Sequence, residues 1–327
     1  MARTRLITAI NDALREEMER DEKVILFGED VEASIFGDTR GLIDLFGPRR
    51  VRNTPISENT LTGMTVGAAA SGYRVVLHLM FANFVYTGMD GIANQIARAR
   101  LMSGAQIDLP ITIIASYGGG RANAAQHSDT PFSPVMSLGG IHVLAPSNPA
   151  DAKGLLKSAI RCNDPVIFFE PGGRGGEIGE VPDEDYLTPI GEAAVLREGK
   201  DVTLIGMGST MRMTIQAADK LDKEGVESTV VDVRSLAPLD EKTLCGAASN
   251  TGRVVIVDES RDRCSAASQI AAILADRCFG YLRAPIKRVT TPDCSLPYAP
   301  ASEKYLLPSI GKVLAAANVV LSTGETR

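Results

Sequence analysis

Three stretches of this 327-residue chain carry residue types that could do chemistry. In "NTPISE" (53–58) Glu58 opens a run rich in Gly and Ala that reads as a helix. Taken alone, this is an acid complementing the helix dipole, with Ser57 as N-cap. "GGGRANAAQHSD" (118–129) puts three glycines, an arginine and His127 in one loop after a strand. Such a loop can cradle phosphate, but no Lys-Ser/Thr follows, so it is no Walker loop. His127 lies on a polar loop at the C-terminal end of a strand, where open α/β sheets place ligands, and histidine is a side chain suited to moving protons. "GMGSTM" (206–211) opens a helix as a dinucleotide loop would, yet Met211 stands where the third glycine belongs and Asp232 is the only acid near the expected place. No cofactor of its own is expected there.

The remaining candidates have structural readings. His78 and His142 fall inside apolar strand patterns and are expected as packed or edge residues. Glu29, Asp30 and Asp258 end strands, where carboxylates commonly cap. No His and Asp/Glu grouping has metal-ligand spacing, and no G-x-S-x-G elbow occurs.

The elements that must position these residues alternate. Helical periodicity covers 6–20, followed by strands at 23–30 and 50–55, helices at 41–47 and 58–72, and a strand at 73–81. A long helix is expected at 85–103, then strands at 110–116, 141–147 and 165–170 with a helix at 149–161 between the last two. Near-continuously apolar strands alternating with helices predict a largely parallel sheet covered on both faces. Residues 176–195, rich in Gly, Pro and acids, read as a linker between a first domain (1–175) and a second (196–327). In the second, strands at 201–208, 227–235, 253–260 and 286–293 alternate with helices and a last helix spans 308–317.

Composition narrows the function classes. The formal charge of −6 and pI near 5.3, with scattered Lys and Arg, leave no basic footprint for nucleic acid or an anionic membrane. Five widely spaced cysteines without a C-x-x-C pair read as the reduced thiols of a cytoplasmic protein. No membrane-spanning apolar run is expected.

A further set of landmarks runs through both domains: "GED" (28–30), "RGLIDLFGPRRV" (40–51), "NTPISE" (53–58), "MFANF" (80–84), "AAQHS" (124–128), "PSNPADAKGLLKSAI" (146–160), "DPVIFFE" (164–170), "PLD" (238–240), "TGRVVIVDE" (251–259) and "APIKRVTTPD" (284–293). On these the chain resembles, over nearly its whole length, the β component of the thiamine-diphosphate-dependent 2-oxo acid dehydrogenases and acetoin dehydrogenase, within the transketolase-like superfamily. The resemblance implies an α/β fold in which a pyrimidine-binding domain with a parallel sheet precedes a smaller transketolase C-terminal-like domain.

It also implies roles. Glu58 matches the glutamate that hydrogen-bonds a ring nitrogen of the cofactor's aminopyrimidine, Phe84 the aromatic residue packed on that ring, and His127 the histidine that handles protons of the substrate or orients a lipoyl group. Acetoin would be cleaved, or a 2-oxo acid decarboxylated, and the acyl group passed to lipoamide. The G-D-G segment with downstream Asn that holds Mg2+ and diphosphate in self-sufficient thiamine enzymes is missing; the nearby string is Gly37-Asp38-Thr39. An α subunit must supply that half, in an α2β2 heterotetramer, with a lipoyl-bearing acyltransferase as further partner. Family members also hold K+ through main-chain carbonyls, here matching Ile111, Ala159, Ile160, Cys162 and Asp164.

Some departures leave alternatives open. The loop at 31–39 is short, Asp129 replaces a glutamine, and Ser137 stands where a histidine is usual. These changes motivate a two-component carboligase that passes a two-carbon unit to a carbonyl acceptor without a lipoyl partner. A third reading is a non-catalytic subunit of the same fold, against which retention of Glu58, Phe84 and His127 together speaks.

Overall fold

The computed structural model describes residues 2–323 and separates by packing into two units. The first comprises the chain up to Tyr117 together with Pro134–Ile190. The second comprises Gly118–Ser133 and everything described from Gly191 onward.

The first unit is built from β1 (Ala2–Arg5), α1 (Leu6–Arg20), β2 (Val24–Gly28), α2 (Leu42–Phe46), β3 (Val51–Asn53), α3 (Glu58–Ala70), β4 (Arg74–Phe81), α4 (Ala99–Met102), β5 (Ile111–Tyr117), α5 (Phe132–Met136, which starts at the unit boundary), β6 (His142–Leu144), α6 (Pro149–Arg161), β7 (Val166–Pro171) and β8 (Ile178–Val181). Its main strands pair in parallel in the order β6-β7-β5-β4-β2-β3. Every residue of β5 and β7 is buried, as expected of parallel strands covered on both faces.

The helix α1 lies against α6 over a core that includes Leu6, Ile10, Leu14, Leu155 and Leu156. Polar contacts fix the pair. Glu17, fully buried, takes Arg161 in a bidentate grip at 2.7–3.0 Å, and Glu16 takes Lys153 and Lys157 at 2.7 Å each. Such charges are tolerated inside only because each is paired.

Two stretches differ from the sequence-based expectation. The long helix at 85–103 is a 3-10 turn (Ala82–Val85), a π-helical segment (Gly91–Ile96) and the short α4. Gly91 sits so close to α3 that a Cβ there would lie 2.1 Å from the Thr62 hydroxyl, and this approach, with glycine's poor helix propensity, displaces regular winding. Part of the expected linker is β8, which pairs antiparallel with β1 in the register Ala2↔Val181 to Arg5↔Ile178.

The second unit holds β9 (Ala194–Arg197), β10 (Val202–Gly206), α7 (Met211–Lys223), β11 (Ser228–Asp232), β12 (Ser235–Ala237), α8 (Glu241–Thr251), β13 (Val254–Arg261), α9 (Ala266–Arg277), β14 (Lys287–Thr291), α10 (Pro300–Leu306) and α11 (Ile310–Ser322). Its five-stranded sheet runs β14-β13-β10-β11-β9, parallel except for the edge strand β9. By composition Pro300–Ser322 is apolar and long enough to cross a membrane, where no such run was expected. It is two helices. Ser309 caps α11 by accepting from the Lys312 N–H, and Val313, Ala317 and Val320 lie in the second core.

Candidate active site

The first unit gathers an unusual number of acids at the C-terminal ends of its strands. Gly28 ends β2 and delivers Glu29; His78 lies beside Gly28 in β4; Glu170 ends β7; Glu58 opens α3. Glu29, Asp38, Glu58, His78 and Glu170 are all buried. Beyond His78 the register of β4 against β5 shifts, and Met80 takes a left-handed conformation (φ 53°). Irregularities of this kind recur next to functional sites because they re-aim side chains.

Glu58 is no simple cap. Ser57, expected as N-cap, gives its hydroxyl to Thr60 Oγ1 at 2.8 Å, and no side chain caps α3. Glu58 is only 6% exposed, and its carboxylate forms no hydrogen bond among the described residues. Beside it, Glu29 Oε1 is buried without a hydrogen-bond partner among those residues. Burial pushes the Glu29 carboxyl above its ordinary pKa, the charges of Glu58 and Asp30 add to that, and His78 works in the opposite direction. Unspent acceptors in a buried place fit the edge of a nitrogen heterocycle, which brings its own donors.

Aromatic rings border this cluster. Phe84, half-buried in the 3-10 turn after β4, meets Phe81 edge-on with centroids 5.8 Å apart; Phe81 meets Phe36 edge-on at 5.3 Å, and Phe36 stacks on His78 at 6.1 Å. The turn after Phe84 returns to α3, where the Thr62 hydroxyl lies 2.9 Å from the Glu58 carbonyl and 3.2 Å from that of Gly88.

His78 is more than the packed strand residue expected. Its Nε2 lies 2.7 Å from Asp38 Oδ2, and its Nδ1 accepts the Met80 N–H at 3.1 Å. Asp38 of the Gly37-Asp38-Thr39 string is buried, with Oδ2 paired to His78. Nothing in the sequence pattern linked these two residues, since their partnership depends on the loop after β2 folding back over β4.

His127 belongs to the second unit, in the half-buried 3-10 turn Ala125–His127. Its loop is held at several points. Gly119 N–H donates to Glu259 Oε1 at 2.5 Å, Ala122 N–H to Glu303 Oε2 at 2.9 Å, and Asp129 pairs with Arg261 at 3.1 Å. Ala122 and Ala124 both have positive φ (54° and 60°), a strain such fixed contacts must sustain. The departure at 129 thus has a local partner that a glutamine would lack as an ion pair.

The carbonyls matched to a potassium site cluster near the end of α6. Those of Ile160 and Cys162 accept from Arg74 Nη1 at 2.9 and 3.0 Å, and that of Ala159 accepts the Cys162 N–H at 3.2 Å. Ile111 begins β5, and the Asp164 carboxylate pairs with Arg100. A guanidinium already serves two of the five carbonyls, so they offer an incomplete fit to a monovalent ion.

Comparison with known proteins matches this architecture. The profile of the transketolase pyrimidine-binding domain covers residues 3–175, and that of the transketolase C-terminal domain covers 191–313. The chain is 42% identical over 320 residues to the β subunit of acetoin:2,6-dichlorophenolindophenol oxidoreductase of Bacillus subtilis (94% of each chain). It is 43% identical to the 2-oxoisovalerate dehydrogenase β subunit of the same organism (95% of this chain, 96% of the relative) and 40% identical to its pyruvate dehydrogenase E1 β subunit (98% and 99%). Among solved structures, a split-gene transketolase described as an inactive β4 tetramer superposes with a TM-score of 0.82 at 26% identity, over 97% of this chain and 98% of that one. The chain belongs to the family of β subunits of thiamine-diphosphate-dependent acetoin and 2-oxo acid dehydrogenases.

Proposed function

We propose that this chain is the pyrimidine-holding half of a thiamine-diphosphate site, working with an α subunit in an α2β2 assembly that cleaves acetoin or decarboxylates a 2-oxo acid and acylates a lipoyl-bearing partner. The observation that carries this reading is Glu58: a buried carboxylate with unspent acceptors at a helix start, beside a second acid and close to an aromatic turn. Glu58 would hold a proton against a ring nitrogen of the aminopyrimidine, and Phe84 would pack on the ring face. The apolar rings around them keep water out and strengthen that hydrogen bond. His127, presented on its braced loop, would exchange protons with substrate or lipoyl sulfur. The cofactor, when bound, supplies the electron sink for breaking a bond next to a carbonyl.

The α subunit is needed for Mg2+ and the diphosphate. Asp38 of the one G-D-T string is buried with Oδ2 on His78, and the structural neighbour described as an inactive β4 tetramer is in line with a half-site. The potassium ion is assigned no part in the chemistry.

The deciding experiment measures magnesium-dependent thiamine diphosphate binding to this chain, to an α chain and to their mixture, followed by lipoamide acylation with acetoin, pyruvate and a branched 2-oxo acid. Tight binding by the mixture alone, with one donor turned over, is expected. Tight binding by this chain alone, or turnover that survives Glu58→Ala, would overturn the reading.

A further inference from the structure

An open α/β sheet takes its ligands where neighbouring parallel strands send their connections in opposite directions. In the second unit that place lies between β10 and β13. The strand β10 leads through α7 to β11 on one side of the sheet, and β13 leads through α9 to β14 on the other. The turn after β10 is the "GMGSTM" string, the stretch with the look of a dinucleotide loop.

The strand β13 runs past the end of β10. Gly206, the last residue of β10, pairs with Val257, so Glu259 stands two residues beyond the paired region. Both of its carboxylate oxygens are engaged. Oε2 accepts the hydroxyl of Ser209 from the turn after β10, and Oε1 accepts the Gly119 N–H at 2.5 Å. An acid facing this turn would repel a phosphate, but it suits the N–H groups of a peptide.

That peptide is Gly118–Ser133, which packs with the second unit although the chain enters it from β5 of the first. Its backbone comes too close for side chains. A Cβ on Gly118, whose φ is 95°, would lie 2.9 Å from Glu259 Oε1, and one on Gly119 would lie 2.7 Å from Leu296 Cδ1. The two ends of the loop are tied together, since the Gly118 N–H donates to the Asp129 carbonyl at 3.1 Å. The same strand β13 grips the far end as well, where Arg261 pairs with the Asp129 carboxylate two residues after His127.

We propose that the crevice between β10 and β13 is a socket for the loop that carries His127, and that Glu259 is its positioning residue, acting on His127 through the backbone of Gly119. The weight of this in catalysis rests on the role proposed above for His127; the seating itself does not.

The test follows hydrogen exchange in the full-length chain, comparing peptides from 118–129 with those of β11 as an internal reference. Glu259→Ala is expected to speed exchange in the loop about tenfold or more, as the loss of a charge-assisted bond implies, and to leave β11 as it was. In the enzyme assembled with its α chain, kcat should fall about tenfold while the KM for the donor and the thiamine diphosphate affinity stay within about twofold. Glu259→Gln can still accept the Gly119 N–H and can donate to Ser209 Oγ, so exchange and kcat should return to within about threefold of the native values. Where Glu259→Ala does not fold, Ser209→Ala takes its place, with loop exchange expected about threefold faster. Unchanged loop exchange in the folded variant, a Gln variant as loose as the Ala variant, or an unchanged kcat in an enzyme that His127→Ala inactivates would each overturn the proposal. If His127→Ala itself leaves turnover intact, the functional reading of His127 falls, while the exchange rates still decide the seating.

Discussion

Gly28 and His78 stand opposite each other across the parallel pair β2–β4, and a Cβ on Gly28 would lie 2.2 Å from the His78 carbonyl oxygen. With φ at 155°, Gly28 also has a backbone conformation that side chains disfavour. Gly28→Ala must push the strands apart where Glu29 and His78 are aimed. A loss of about 3 kcal/mol is expected from strain and overpacking together. Urea unfolding of the chain checks it, and a loss near zero would mean that the two strand ends are free to move.

Glu58→Gln keeps volume and removes the ionisable group. In the assembled enzyme kcat should fall about 100-fold or more, the range expected for losing a positioned acid–base group. Stability of the chain should change little, because the carboxylate caps nothing. Steady-state kinetics beside a thermal melt separate the two effects.

Phe84→Ala removes the ring at the end of the aromatic row. Thiamine diphosphate affinity of the assembled enzyme should weaken about tenfold, the equivalent of roughly 1.4 kcal/mol of lost ring packing. Calorimetric titration reads it directly. Equal affinities would place the cofactor ring elsewhere.

Glu29 predicts a stability gain. Its carboxyl titrates above the ordinary 4.5 in the folded chain, so the native state binds more protons than the unfolded state between the two values. Stability therefore falls as pH rises from 4.5 through the folded pKa and stays lower beyond it. Glu29→Gln should leave stability little altered below that window and raise it at neutral pH. Denaturation at several pH values tests the sign, and a loss at neutral pH would contradict it.

Glu17→Gln addresses the scaffold. The variant leaves Arg161 and Arg20 facing an uncharged amide in the α1–α6 contact, and roughly 2–4 kcal/mol of stability should go with it. Equilibrium unfolding provides the number.

The order of strands and helices was legible because apolar runs and helical periodicity are local signals, as in α1, β5 and α6. The 85–103 stretch misled because Gly88 and Gly91 answer to Thr62 on another helix, a contact that no window along the chain contains. Glu58, Phe84 and His127 were found through resemblance, whereas composition alone left Glu58 a helix-terminal acid. The structure explains why that reading was incomplete: Ser57 turns to Thr60, and the acid goes inward. The His78–Asp38 pair had no sequence signature, since an imidazole in an apolar strand and an Asp in a Gly-rich loop each look ordinary alone.

The pairing of β1 with β8 bears on the order of events during synthesis. Residues 2–5 are made well before Ile178–Val181, the strand that accepts them, which follows β2 to β7 in the chain. The partner of Glu17 on α6 is likewise late. Until β8 and α6 are made, β1 lacks its strand partner and Glu17 has only Arg20 of its own helix, so the full set of contacts that close the first unit depends on its late-made elements.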